Sequence, residues 1–361
     1  MTSKIVNVDL SNNNYDIIIN NDYFDFESIK SKLANRKIAI ISNDTVAPLY
    51  LDSLTSNLSQ YNTDLFSHIL PDGEQYKNQA SWLSILDFLA ENNFNRNDLL
   101  ISLGGGVICD ITGFAAASWM RGIDFIQVPT SLLAQVDASV GGKTGVNHPK
   151  GKNLIGAFHQ PQAVIINTST IKTLPAREFK SGLGEVIKYG FINQPQFISW
   201  LDENSSLINN HDLHTISELI AFCCRFKTEV VQKDEKESGI RALLNLGHTF
   251  AHAIETYTSY EVYTHGEAVA IGMVMAAELT VLLEISHPHL RLDVEKHLQD
   301  FQLETKLSKE VDAKQLVKLM RLDKKVTNNS HRLILMKSMG NAFIHSNVCE
   351  KNILQAIINC Q

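Results

Sequence analysis

The chain is poor in cysteine, has no long apolar run and carries no excess of positive charge, and each lack removes a class of protein. Its five cysteines, Cys109, Cys223, Cys224, Cys349 and Cys360, are odd in number and show no CxxC spacing, which argues against a disulfide scaffold and makes the cytoplasm the expected compartment. The start, Met1 to Val8, has neither the charged nor the apolar region of a signal peptide. The most apolar stretch, Ala268 to Ala277, is too short to span a bilayer. Thirty-nine acidic against 32 basic residues give a net charge of −7, which leaves no electrostatic footprint for nucleic acid or an anionic membrane. An anionic small-molecule substrate would need a local basic pocket. No Gly/Ser-rich linker, internal repeat or low-complexity tract interrupts the chain.

What is present is ordinary globular material, 361 residues with 44% hydrophobic and 20% charged side chains, long enough for two cores. Short β-rich runs at Lys37–Ile41, Asp64–Ile69, Leu99–Leu103, Phe125–Val128 and Ala163–Asn167 alternate with helical segments. That rhythm predicts βαβ units and a mainly parallel sheet. From about Leu174-Pro175 the β signal fades and helical patterns run to Ile285, then again from Val294 and from Ala313. The expected division is an α/β domain over 1–173 and a mainly α-helical domain over 174–361.

The densest chemistry lies in Asn245-Leu-Gly-His248-Thr-Phe-Ala-His252, followed by Tyr263-Thr-His265-Gly-Glu267. His248 and His252 are four apart and share a helix face, and His265 reaches the same point if it opens the next helix. A histidine alone is usually a core or surface residue, but a cluster reads as a metal site. Catalytic zinc takes three protein ligands and keeps a position open. The best carboxylate is Glu185 in Gly182-Leu-Gly184-Glu185-Val-Ile-Lys188, on a helix expected to open after the glycines, with Lys188 three residues on and facing the same way.

A second cluster begins where Leu99–Leu103 runs into Gly104-Gly105-Gly106-Val107-Ile108-Cys109-Asp110, with helix expected from Ile111 to Trp119. Strand, glycines, helix is a phosphate-binding arrangement, because glycine lets backbone N–H groups approach an anion closely. The spacing is not GxGxxG, so the standard dinucleotide fingerprint does not apply. Upstream, the turn Asp72-Gly73-Glu74-Gln75-Tyr76-Lys77 supplies carboxylates for ribose hydroxyls and a lysine. Downstream, Val128-Pro-Thr130-Ser131 leads through Val136-Asp137 to Gly141-Gly142-Lys143 and Lys150-Gly-Lys152-Asn153, lysines beside glycines that suit an anionic ligand.

Taken in order, these segments resemble the 3-dehydroquinate synthase family of the shikimate pathway of aromatic amino-acid biosynthesis. The motifs are Gly104–Asp110, Arg121–Thr130, Val136–Thr144, Gly182–Lys188 and Arg241–Thr249. The resemblance runs from Asp72 through Lys325. It implies a Rossmann-like first domain that binds NAD, a helical second domain that carries zinc or cobalt, and a homodimer. It implies a phosphate-eliminating lyase that converts 3-deoxy-D-arabino-heptulosonate 7-phosphate to 3-dehydroquinate and phosphate with transient NAD reduction.

On the same resemblance the metal ligands are Glu185, His248 and His265, which makes His252 a substrate contact and not a ligand. Asp72, Gly73, Glu74, Gln75, Tyr76, Lys77, Gly105, Gly106, Val107, Asp110, Thr130 and Ser131 fall at NAD-binding positions. Lys143 and Lys152 fall there too and also approach the substrate. Asp137, Asn153, Lys188, Lys227, Arg241, Asn245 and His252, with Lys324 or Lys325, match substrate or catalytic positions, and Arg121 matches a residue that enters from the partner subunit. Three residues depart from the usual pattern: Cys109 for glycine, Gly184 for alanine and Ser131 for threonine. A side chain at 109 would be strained if that position required positive φ. The neighbouring readings are another sugar-phosphate cyclase and a metal- and NAD-dependent polyol dehydrogenase.

Overall fold

The computed structural model describes every residue except 1–2, 11–12, 62, 238 and 322–330, and the backbone only of His331. In chain order the strands are β1 Lys4–Val8, β2 Tyr15–Asn20, β3 Lys37–Asn43, β4 Asp64–Leu70, β5 Leu99–Gly104 and β6 Asp124–Pro129. They continue with β7 Lys143–His148, β8 Gly151–Phe158, β9 Ala163–Asn167, β10 His331–Ser338 and β11 Asn341–Val348. The helices are α1 Lys30–Leu33, α2 Ala47–Ser59, α3 Gln79–Glu91, α4 Gly106–Ser118, α5 Ala176–Asn193 and α6 Pro195–Asn209. They end with α7 Leu213–Lys233, α8 His248–Tyr257, α9 His265–Leu282, α10 Leu290–Asp300, α11 Ala313–Met320 and α12 Glu350–Asn359.

The chain forms two compact units. The first, Met1–Leu174 with Leu213–Lys236, is built on a seven-stranded sheet of order β1-β2-β9-β6-β5-β3-β4. Every pairing is parallel except β1 with β2. The five expected strands are there with their predicted centres, and β1 and β2 join them. Alternate residues of each strand enter opposite faces: Ile38, Ile40, Leu99, Ile101 and Leu103 pack with Leu54 and Leu58 of α2. Ala39, Ile41 and Leu100 pack with Ile85 and Leu89 of α3 and Ile108 and Ile111 of α4. A sheet covered on both faces explains why the central strands read as unbroken apolar runs. From β3 the chain goes out to the edge strand β4 and returns to β5 on the other side of β3, which opens a crevice at the carboxyl ends of β3 and β5.

The division differs from the single boundary expected at 173/174, because α7 belongs to the first unit. Its apolar face packs on β1 and β2, and Lys227 on α7 binds Asp137 through both the main-chain carbonyl (2.6 Å) and the carboxylate (2.8 Å). Helical periodicity marks where α7 lies but not which sheet or helix buries it.

The second unit, Pro175–Asp212 with Glu237–Gln361, is helical but also carries the antiparallel hairpin β10–β11, which the helical reading omitted. Its centre is α9, whose residues from Gly266 through Thr280 are buried apart from the half-buried Glu267. The apolar stretch seen in the sequence is only part of this helix. At 18 residues α9 is long and apolar enough to cross a membrane, yet 78% of it is buried within the protein, which is the environment its all-round apolarity matches.

Candidate functional site

Three helices of the second unit deliver the expected metal donors. Helix α5 begins at Ala176, well before the glycines that were expected to open it. Those glycines instead let helices approach. A Cβ on Gly184 would stand 2.5 Å from the carbonyl oxygen of Gly266, and one on Gly266 would stand 1.8 Å from that of Ser181. The contact sets Glu185, buried on α5, against the start of α9. Helix α9 starts at His265 because Thr264 caps it and Glu267 completes the capping box, while Arg177 clamps Glu267 at 2.9 and 2.7 Å. Helix α8 starts at His248 after Gly247, held at φ +78, and a Cβ on Gly272 of α9 would lie 2.2 Å from the Gly247 carbonyl oxygen. Two glycine-mediated backbone contacts on α9 therefore converge all three donors.

Glu185, His248 and His265 offer donor atoms that all lie within 4.8 Å of one another. Glu185 Oε1 is 3.6 Å from Nε2 of His248 and 3.6 Å from Nε2 of His265. Donors held about 2.1 Å from a tetrahedral ion stand roughly 3.4 Å apart, so the set fits zinc with little movement. Both imidazoles are oriented through their other nitrogen: His248 Nδ1 by the Leu246 carbonyl at 3.1 Å and His265 Nδ1 by Glu255 at 3.2 Å. The His252 ring stands 5.6 Å from that of His248 and 6.4 Å from that of His265, beside the donor set and not in it. Lys188, one turn from Glu185, is buried and ion-paired with it.

The electrostatics favour a cation. Burial, with Lys188, His265 and His252 nearby, pushes His248 well below the usual histidine range, so it is a neutral donor. Burial also opposes charge on His265, but the Glu255 and Glu185 carboxylates outweigh it and raise this histidine to about 10. A proton held between two carboxylates occupies the position a metal ion would take. In the same unit Arg241 is buried in the turn Ile240–Asn245, and Asn245 donates to Glu237 at 2.5 Å. Lys324 and Lys325 lie outside the described residues.

In the first unit the glycine turn sits at the end of β5, with Gly105 as N-cap and α4 starting at Gly106. Gly104 is needed for packing, since a Cβ there would meet Ile108 at 2.8 Å. Gly105 and Gly106 are different: neither has positive φ, and a Cβ on either would find only ordinary contacts at 3.4 and 3.5 Å. The protein itself does not require glycine there, which fits a ligand approaching the open backbone, with Val107 next in line. Thr130 follows β6 beside this turn, its N–H donating to the Gly104 carbonyl at 3.0 Å, and Ser131 Oγ accepts from the Ala134 N–H at 3.3 Å.

The Asp72 turn closes on the same strand ends. Asp72 accepts from Asn43 (2.6 Å) and Thr45 (3.0 Å), Gly73 takes φ +121, and Glu74-Gln75-Tyr76 form one 3₁₀ turn. Lys77 is buried, with its ammonium on Asp110 at 2.5 Å and Asn153 at 2.7 Å. Glu74 accepts from Asn147 at 2.7 Å and lies 3.8 Å from Lys152. Burial raises Asp110, and Lys77 only partly offsets this. Lys143 is exposed at the start of β7. Cys109 sits inside α4 without positive φ, so the feared strain is absent. Its thiol is buried and pushed up to about 12, which makes it unreactive. Arg121 is exposed, at φ +70 between Met120 (φ +49) and Gly122 (φ +119).

Sequence reasoning missed Asn43, Asn147, Glu237 and Glu255. Only Glu255 had a readable signal, lying seven residues after His248, two helical turns along one face.

Residues 67–181 match the family model for the 3-dehydroquinate synthase N-terminal part and residues 182–326 that for its C-terminal part. The chain belongs to the 3-dehydroquinate synthase family. It is 47% identical over 360 residues to the 3-dehydroquinate synthase of Shewanella loihica, covering 98% of this chain and 99% of that one. Against the Legionella pneumophila 3-dehydroquinate synthase it is 48% identical over 357 residues, 98% of this chain and 96% of that one. Among solved structures it resembles 2-epi-5-epi-valiolone synthase from Streptomyces hygroscopicus, described with NAD+ and Zn2+ bound (TM-score 0.89, 22% identity, 98% of each chain). It also resembles 2-deoxy-scyllo-inosose synthase, described with carbaglucose-6-phosphate, NAD+ and Co2+ (TM-score 0.87, 22% identity, 99% of this chain and 100% of that one). The family is one of enzymes, and the fold is that of these cyclases.

Proposed function

We propose that this 3-dehydroquinate synthase family member carries out the reaction of its name, converting 3-deoxy-D-arabino-heptulosonate 7-phosphate to 3-dehydroquinate and phosphate. The observation that carries the reading is the convergence of Glu185, His248 and His265, with Lys188 and His252 at their side. Zinc or cobalt at these donors would acidify a bound hydroxyl, and NAD along Gly105, Gly106 and Val107 would accept and return a hydride.

The chain's own residues have separate tasks. Glu185 supplies the one negative donor, and the two histidines stay neutral donors once their Nε2 atoms face the ion. Lys188 and His252 hold and move protons on substrate hydroxyls beside the ion. Arg241 and Asn245 fix the substrate's polar groups. On the first unit, Lys152, Asn153 and Lys227 hold the phosphate end, Asp137 accepts from Lys227 and binds substrate hydroxyls, and Lys143 and Lys152 also meet the cofactor. Asp72, Glu74, Gln75, Tyr76 and Lys77 bound the nucleotide side, with Asp110, Thr130 and Ser131 behind the glycines. Lys77 and Asp110 do so largely by bonding each other, which fixes the turn. Arg121 is displayed by three consecutive left-handed residues, a costly backbone that supports an arginine offered to a second copy of the chain. A cytoplasmic homodimer without nucleic-acid or membrane partners completes the proposal, and Lys324 or Lys325 is assigned to substrate on the family resemblance alone.

The test is phosphate release from 3-deoxy-D-arabino-heptulosonate 7-phosphate by zinc-loaded protein with catalytic NAD, followed together with 3-dehydroquinate and NADH. Phosphate and dehydroquinate without accumulating NADH are expected. Absence of phosphate would redirect the assignment to another cyclase substrate, and stoichiometric NADH to a dehydrogenase.

A further inference from the structure

We propose that Glu255 is a positioning residue for the metal centre: from α8 it holds His265 of α9 by Nδ1, turns Nε2 to the ion, and tunes the ion's affinity. The inference rests on the metal reading above and deepens it. Glu255 is only 2% exposed, and a carboxylate taken out of water is costly unless a partner recovers the loss. Its oxygen lies 3.2 Å from His265 Nδ1, while His265 Nε2 faces Glu185 at 3.6 Å.

The two imidazoles of the site thus have unlike outer partners. His248 donates to a neutral carbonyl, that of Leu246, and His265 to a carboxylate. A carboxylate fixes the tautomer and makes the opposite nitrogen a stronger donor. Glu185 brings one negative charge to a divalent ion, and Glu255 brings a second through the imidazole, opposing the positive charge of Lys188 at the same centre. Glu255 also ties α8 to α9 at the point where His248 and His265 must meet.

The test measures zinc and cobalt affinity of the full chain by chelator competition, in wild type and in Glu255→Gln, which keeps the shape and drops the charge. Weakening of about 10- to 100-fold is expected once titration of both proteins across pH has removed the contribution of the proton displaced from His265, with a shifted visible spectrum for bound Co2+; the denaturation midpoint of the metal-free protein is measured alongside. Affinity within about twofold of wild type, or a loss explained by a less stable metal-free fold, would overturn the proposal. A measurement without any variant is the 1H–15N histidine spectrum of zinc-loaded wild type, where the His265 proton is expected on Nδ1. A proton on Nε2 would overturn it. Wild type that binds neither ion sinks the metal reading as well, whereas normal wild-type binding with an unaffected Glu255→Gln removes this inference alone.

Discussion

In the second unit the donors Glu185, His248 and His265 stand on three helices whose backbones touch through glycines, whereas the residues around the glycine turn of the first unit stand on strand ends and a hairpin laced by side chains. The helical site holds its geometry by packing, so a single added methyl group disturbs it. The strand-end site has close glycines too, at Gly104, Gly145 and Gly156, but its functional side chains are held by charged hydrogen bonds, so lost partners disturb it most. The contrast follows from ligand chemistry: metal donors must meet to within a few tenths of an ångström, while an extended cofactor is held by many moderate contacts.

The largest expected effect is at the donors themselves. Glu185→Ala or His248→Ala should leave the protein folded and without stoichiometric zinc, with turnover down by about 10³-fold or more; metal analysis beside kcat checks this. Normal turnover in a zinc-free variant would break the assignment. Next is Gly266→Ala, whose methyl group would sit 1.8 Å from the Ser181 carbonyl oxygen. Overpacking against backbone here should cost more than about 3 kcal/mol and weaken zinc binding together with stability. If stability falls and metal affinity does not, packing does not set the donor geometry.

In the first unit, Lys77→Met should strand Asp110 in a half-buried setting and cost roughly 3 kcal/mol, measured by denaturant unfolding. Adding Asp110→Asn should recover most of it, and failure to recover would show that the pair does not hold the turn together. A pH effect is smaller and belongs to the helical site alone. In the ion-free protein His265 keeps its proton up to about pH 10, and a metal must displace it. Affinity should therefore rise about tenfold per pH unit across the neutral range and fall as the pH drops. The charged and titratable groups facing it are Glu185 and Lys188 on α5 and His248, His252 and Glu255 on α8, and a flat affinity profile would remove the proton from this account. The smallest effect is Cys109→Gly, a loss of about a few tenths of a kcal/mol in helix propensity beside the lost packing of the thiol, with cofactor affinity unchanged because the buried thiol faces Ser102 and the Gly104 carbonyl.

Much of the second site was legible because its residues come in short helical motifs: the acid and lysine three apart in α5, the histidines four apart in α8, and His265 after a capping threonine. Glu255 went unread since its partner lies on the next helix, across a turn. The position of helix α5 was misread for a related reason: glycines that make room for α9 look, in one dimension, like glycines that open a helix. In the first unit five strands of the sheet announced themselves as β-rich runs, and β7 and β8 did not, because β7 is short and glycine-containing and β8 is half exposed, which carries little apolar signal.

By itself the sequence determined local periodicity, the motifs and their order, and through them the family, the parallel sheet and the identity of the candidate donors, since these depend on residues near each other along the chain. Only the tertiary structure decided that α7 joins the sheet, that Lys77 is spent on Asp110 and Asn153, that glycines 247, 266 and 272 set the donor geometry, and that Glu255 stands behind His265. Each of these is a contact between residues far apart in sequence, fixed by which surfaces exclude water and which backbones can touch.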